Sequence, residues 1–145
     1  MVDIQRTFTV KAPQATVVSY LRDFAHAEQW DPGTQSCSQI GGGDITVGTC
    51  WRNVSKLFGI TTELTYRLVR DDPDHLVFEG TNKSATSVDD ISIREAGNET
   101  SSITYHAKIT FNSKAAPLIN PIATAGFTYI GKKVEEDMRS TLENL

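Results

Sequence analysis

Hydrophobic spacing along this chain changes period several times, and each change marks an element. From residue 3 to residue 11 apolar and polar side chains alternate, which puts Ile4, Phe8 and Val10 on one face and predicts a strand. Arg6 falls on that same face, either as a rim residue reaching solvent or as a polar group inside a cavity. Pro13 then opens a helix with Val17, Val18, Tyr20, Leu21 and Phe24 at helical spacing, and Asp23 can cap a second short helix ending at Trp30. Asp31-Pro32-Gly33 stops it. From Thr34 the period returns to two, and strands are predicted over residues 35–40, 48–58, 61–70, 75–80, 85–95 and 101–112. Gly41-Gly42-Gly43-Asp44, Gly59, Asp71-Asp72-Pro73-Asp74 and Ala96-Gly97-Asn98-Glu99 punctuate them.

The closing stretch, residues 118–145, is amphipathic. Ile119, Ile122, Ile130, Val134, Met138, Leu142 and Leu145 recur at helical intervals and define a stripe that must be buried. Leu118, Ala123, Ala125, Phe127 and Tyr129 widen its first half, whereas Lys132, Lys133, Glu135, Glu136, Asp137 and Arg139 crowd the second. The helix is therefore expected to be embedded at one end and wet over its other half. Asn120 before Pro121 reads as an N-cap followed by proline at the first helical position. Gly126 and Gly131 each cost a helix roughly 1 kcal/mol relative to alanine. Either chain or ligand approaches closely there, or the packing is loose.

At 145 residues the chain makes one domain, able to bury roughly two thirds of its unfolded surface without staples. A net charge of −4, with Lys132-Lys133 as the sole basic cluster, argues against nucleic acid or an anionic membrane surface as a partner. A small neutral or apolar partner fits better. The opening residues lack a basic n-region followed by an apolar h-region, and no apolar run could span a bilayer, so a cytoplasmic protein without stable membrane insertion is expected. Cys37 and Cys50 form no C-x-x-C motif, and His26, His75 and His106 are scattered singly. Neither a metal nor a cofactor is implied, and both cysteines read as structural. Sites of the N-x-S/T form at Asn53, Asn82 and Asn98 read as chance. The sequence holds no G-x-S-x-G, Walker loop or dinucleotide fingerprint, and Gly41-Gly42-Gly43 has no following helix to present to phosphate.

The order is thus strand, two short helices, six antiparallel strands and a long helix: an α+β domain whose seven-stranded sheet curls around the one helix long enough to cover it. In this the chain resembles the helix-grip fold of the START-like, or Bet v 1-like (SRPBCC), superfamily, and within it the bacterial polyketide cyclase/dehydrase and lipid-transport-like group. The resemblance spans residues 1–145. It is carried by the opening strand leading into Ala12-Pro13 and the Val17-Val18 helix, by Trp30-Asp31-Pro32, Val47-Gly48-Thr49 and Asp89-Asp90-Ile91, and by the helix after Pro121. It implies an internal cavity between sheet and helix.

The inner face expected of such a fold carries Tyr66, Phe78, Tyr105 and Phe111 against Ile122, Gly126, Tyr129 and Ile130, with Trp30 and Trp51 near an entrance. Each aromatic is also a candidate for plain core. If Ile91 and Ile93 point inward, alternation turns Asp89 inward too, close to Tyr105. A carboxyl group there would have a raised pKa and could serve as a general acid or base; at the open end of its strand it would merely sit in water. Tyr105 could hydrogen-bond a ligand carbonyl, while His106 faces solvent. Three functions follow: a binding protein for a small hydrophobic molecule (lipid, polyketide or aromatic-like) using Asp89, Tyr105 and Arg6 for orientation; a polyketide cyclase or dehydratase with Asp89 and Tyr105 as catalytic candidates; or a protein-interaction module with a filled cavity. A monomer or weak homodimer is expected.

Overall fold

A computed structural model describes residues 2–57, 59–111 and 121–145, with side chains placed for all of these but 57 and 121–126. The elements run β1 (Val2–Val10), α1 (Gln14–Arg22), a single 3-10 turn (Phe24–His26), α2 (Ala27–Trp30), β2 (Thr34–Gln39), β3 (Cys50–Leu57), β4 (Ile60–Asp72), β5 (His75–Thr81), β6 (Ala85–Glu95), β7 (Ser101–Phe111) and α3 (Pro121–Glu143). The seven strands form one antiparallel sheet in the order β1-β7-β6-β5-β4-β3-β2. The first and last strands are therefore neighbours, and the α1–α2 segment carries the chain from one sheet edge to the other. The α+β helix-grip architecture expected from the sequence is the one observed.

Local chemistry explains the boundaries. Pro13 is extended (φ −64°, ψ 148°) and its carbonyl accepts the first helical bond, from the Val17 amide at 3.0 Å, so it precedes α1 instead of opening it. The Asp23 carboxylate accepts the Ala25 amide at 3.0 Å and caps the 3-10 turn, as its short acceptor side chain favours. Strand β4 runs to Asp72, beyond the expected end at residue 70. An irregularity between Leu68 and Arg70 shifts the pairing by one residue, so that Asp71 and Asp72 find partners in Leu76 and His75 and only Pro73-Asp74 remain for the turn.

Along β6 every second residue, from Ala85 through Ser87, Asp89, Ile91 and Ile93, is buried, and β7 answers with Ser101, Ile103, Tyr105 and Ala107. This face holds the core. Helix α3 covers it by lying along β1 in a repeating register. Gly131 meets Ile4, Glu135 pairs with Arg6 (Nη2 to Oε1, 2.9 Å), Arg139 lies over the Phe8 ring at 5.6 Å, and the Glu143 carboxylate accepts the Lys11 amide at 2.8 Å. Four residues of helix advance about 6 Å and two of strand about 6.6 Å, so the two ladders stay in step from Ile4 through Phe8, and the last contact, at Lys11, falls three residues on, just past the end of β1. Arg6 is thus a rim residue tied to α3, not a free polar group in a cavity.

Three expectations for the closing helix need correction. Val134, Met138 and Leu142 are buried, so the charged half is gripped as firmly as any part described, its charges occupying the other flank. Tyr129 is 68% exposed: it lies about 200° around the helix from buried Phe127, on the solvent side. Leu145 falls beyond the end of α3 and is also exposed, beside a shallow surface hollow that it shares with Tyr20 and His26. Ile119 and the proposed cap Asn120 lie outside the described residues.

At Gly131 a β-carbon would come within 2.7 Å of the Ile4 Cγ2 methyl. Ile4 is β-branched and stiff, so it yields poorly. Gly131→Ala should therefore lower stability by about 1–3 kcal/mol despite its gain in helix propensity, measured by urea unfolding. A stabilised variant would show that α3 and β1 are not in firm contact.

Candidate functional site

Cross-strand register builds a polar group on the concave face. Asp89 of β6 lies opposite Phe78 on one side and Ala107 on the other, while Ile91, its inward neighbour along the strand, pairs with Tyr105. Tyr105 is therefore diagonal to Asp89, a distance its long side chain spans. Its hydroxyl donates to Asp89 Oδ2 at 2.7 Å, and the Ser87 hydroxyl makes a longer contact to Oδ1 at 3.4 Å.

Tyr66 reaches the same group from β4 because the intervening strand is bare. Its partner on β5 is Gly80, where a β-carbon would stand 2.7 Å from the Tyr66 ring atoms. The ring lies over that glycine, and its hydroxyl interacts with Ser87 and Asp89. Ser87, Asp89, Tyr66 and Tyr105 are all buried.

Burial dominates the electrostatics here. It pushes the Asp89 pKa up to about 7, against the hydrogen bond from Tyr105, and the nearby Asp31 carboxylate raises it further. Both phenols are driven well above their ordinary value, first by burial and then by Asp89. Asp31, in the loop after α2, accepts from the Thr34 hydroxyl at 2.8 Å and the Gly33 amide at 3.1 Å. Its pKa is nevertheless raised by burial, with Asp137 of α3 adding to the effect. Sequence reasoning read Asp31 only as a helix stop; its place beside Trp30, at the junction with the sheet, was the available signal.

The aromatic candidates divide. Phe24 sits among Trp30, Trp51, Tyr66 and Phe78, with ring centroids 4.4 to 6.2 Å away. Trp51 and Phe78 are wholly buried in this cluster, and the Trp51 indole N–H is taken by Asp23 Oδ1 at 3.1 Å. Neither tryptophan lies at an entrance: both are fully buried, because α2 folds Trp30 under and Trp51 faces inward from β3. Trp30 meets the Tyr105 ring edge to face at 5.7 Å, and its Nε1 is the one buried side-chain polar atom without a hydrogen-bond partner among the described residues. Phe111 and Ile130 are half-buried at the margins. Ile122 and Gly126 belong to the first turns of α3, whose side chains lie outside the described residues.

His106 is on the outer face, where its Nε2 meets Asp3 Oδ1 at 2.7 Å. The Cys37 thiol is pushed up to about 12 by burial, which leaves it protonated and unreactive. Among the described residues no three His, Cys, Asp or Glu side chains are grouped to hold a metal, and no helix is long and apolar enough to cross a membrane.

A curved antiparallel sheet gripping a C-terminal helix, with a carboxyl–phenol group on its concave face, defines a START-like helix-grip domain. The chain belongs to the family of polyketide cyclase/dehydrase and lipid transport proteins, whose sequence model matches residues 1–145. Solved structures agree in fold at low identity. A START superfamily protein from Mycobacterium smegmatis superposes with a TM-score of 0.79 at 13% identity, over 98% of this chain and 97% of that one. The Zhui aromatase/cyclase from Streptomyces sp. R1128 gives 0.72 at 13%, over 98% and 91%. The di-domain aromatase/cyclase StfQ of the steffimycin biosynthetic pathway gives 0.71 at 11%, over 99% of this chain and 51% of its own. No curated protein matches the sequence.

The raised pKa of Asp89 has a sign that can be tested. The folded protein keeps a proton that the unfolded chain releases near the ordinary carboxyl value of 3.8. Asp89 therefore contributes stability that is fully present below about pH 4 and is lost as pH rises through about 7, at about 1.4 kcal/mol per pH unit within that window. Asp89→Asn, which can still accept from Tyr105, should gain on the wild type across this range and hold a constant advantage above it, in chemical unfolding at stepped pH. A difference independent of pH would mean that Asp89 ionises normally.

Proposed function

We propose that the protein binds a small, largely apolar molecule between α3 and the concave face of the sheet, with the Asp89–Tyr105 pair as its polar anchor. The observation that carries this reading is the burial of a carboxyl group, held by two phenols and a serine, inside a wall that is otherwise aromatic and aliphatic. Such a group weakens the fold, and no cation among the described residues compensates it. A ligand that uses it supplies the reason for its presence. Two features support a space beside it. Tyr66, Ser87, Asp89 and Tyr105 keep 4 to 7% of their surface accessible, whereas Phe78, Ile91 and Ile93 of the same face keep none. The family and the shared fold support a ligand-binding domain in the same place.

A ligand at a hundred times its Kd stabilises by about 2.7 kcal/mol, which for a domain of this size should raise Tm by several degrees. A lipophile panel read by thermal shift, alongside native mass spectrometry of protein from its own host with extraction of any adduct, tests this. An apo mass together with no shift from any apolar compound would sink the reading.

One observation favours a second reading, catalysis of the cyclase or dehydratase type. With a pKa of about 7, Asp89 can both take and return a proton near neutrality, and the Tyr105 hydroxyl, by donating to Oδ2, fixes the direction in which the carboxyl faces. In that case Asp89→Asn should bind a poly-β-carbonyl substrate with affinity within about threefold of wild type yet lose on the order of 100-fold or more in rate. Equal rates would leave a carrier.

A further inference from the structure

We infer that the concave-face site selects a ligand that offers a hydrogen-bond donor and carries no negative charge, and that it rejects carboxylates. The inference rests on the ligand-binding reading above and specifies its chemistry.

Three independent observations lead to it. First, the enclosure is acidic. Asp31 after α2 acts on Asp89 of β6, and Asp137 of α3 acts on Asp31. Lys133 offsets Asp137 at 2.9 Å, which leaves Asp31 and Asp89 as the acids without a counter-ion among the described residues, and the other framing cations are engaged elsewhere: Arg6 with Glu135, Arg139 with Glu135 and the Thr9 carbonyl. Among the described residues, the other lysines and arginines of β4, β6, β7 and α3 are exposed. An anionic ligand would thus meet like charge in a low-dielectric setting with no counter-charge to receive it.

Second, Asp89 has acceptor capacity to spare. Oδ2 takes the Tyr105 hydroxyl at 2.7 Å, the Ser87 hydroxyl stands 3.4 Å from Oδ1, too long for a strong bond, and the Tyr66 hydroxyl is the third donor to the carboxyl among the described residues. A carboxylate offers about four lone-pair sites, so a ligand hydroxyl or amide N–H can be added to it.

Third, the Trp30 indole N–H is buried without a partner among the described residues, on a ring packed edge to face against the very phenol that holds Asp89. A buried unpaired donor is a standing penalty that a ligand acceptor would relieve. One wall therefore asks for a donor and the adjoining one for an acceptor. A neutral hydroxylated aromatic, or a hydroxy-ketone, offers both; a fatty acid or aryl carboxylate offers acceptors alone, with a charge.

Three probes of one shape separate these terms: 2-naphthol (donor and acceptor), 2-methoxynaphthalene (acceptor only) and 2-naphthoate (anion). With the intact protein at pH 8, isothermal titration backed by ligand-observed NMR should rank naphthol first. Naphthoate should bind at least about tenfold more weakly, the size of effect a like charge within several ångströms produces at moderate dielectric. In Asp89→Asn the naphthoate penalty should shrink to within about threefold, and in Trp30→Phe naphthol should weaken while keeping its lead over naphthoate. Equal affinities for all three, or naphthoate binding tightest, overturn the inference and leave the apolar site standing. Failure of all three to bind overturns the ligand-binding reading itself, and this one with it.

Discussion

Between the Ile4 methyl and the bare α-carbon of Gly131 there is no room for another carbon, and the seating of α3 on the sheet is a consequence of that contact. From Ile4 through Phe8, α3 advances along β1 by one helical step for every two strand residues, each step marked by a different interaction. Glycine allows the approach, an ion pair at Arg6–Glu135 fixes the register, and the helix then has only one way to roll. That roll is what turns Val134, Met138 and Leu142 inward and leaves Tyr129 in water.

On the concave face, the polar group depends on an omission of a similar kind. Tyr66 and Asp89 sit two strands apart and can meet only because β5 presents no side chain at Gly80. Two glycines therefore position the chemistry, one by admitting the helix and one by letting a ring lie flat across a strand. The buried acid is then stabilised as its neutral form more than as its anion, which keeps it near the midpoint of its titration at physiological pH.

The strand pattern and the placement of Asp89 were legible in the sequence because side chains alternate strictly along an unbroken strand, and β6 from Ala85 to Glu95 has no bulge to upset the parity. The same rule put His106 outside. Helix phase was harder to read: Phe127 and Tyr129 are both aromatic, and only contact with β1, through a glycine whose purpose is invisible until its neighbour is known, decides which of them faces the sheet. Trp30 and Trp51 were misplaced for a related reason. Large aromatics suit a pocket rim and a core equally well, and it is Phe24, on a 3-10 turn between two short helices, that draws both into the interior. The influence of Asp31 on Asp89 was missed because a turn aspartate has the same local sequence whether or not it lies near a buried carboxyl.

The pairing of the first strand with the last has a consequence for how the chain is made. Val10 finds its partner only in Ser101, and Val2 only in Ile109, so during synthesis β1 has no sheet neighbour until residues 101–109, about a hundred positions further on, have left the ribosome. The strands from β2 to β6 can zip as successive hairpins in the meantime. The nascent chain thus carries an orphan leading strand, with Arg6 amid its apolar face still lacking Glu135. A charge set into an exposed strand is the feature that discourages other chains from pairing with it, so the residue that later locks the helix in register serves first as a guard against aggregation.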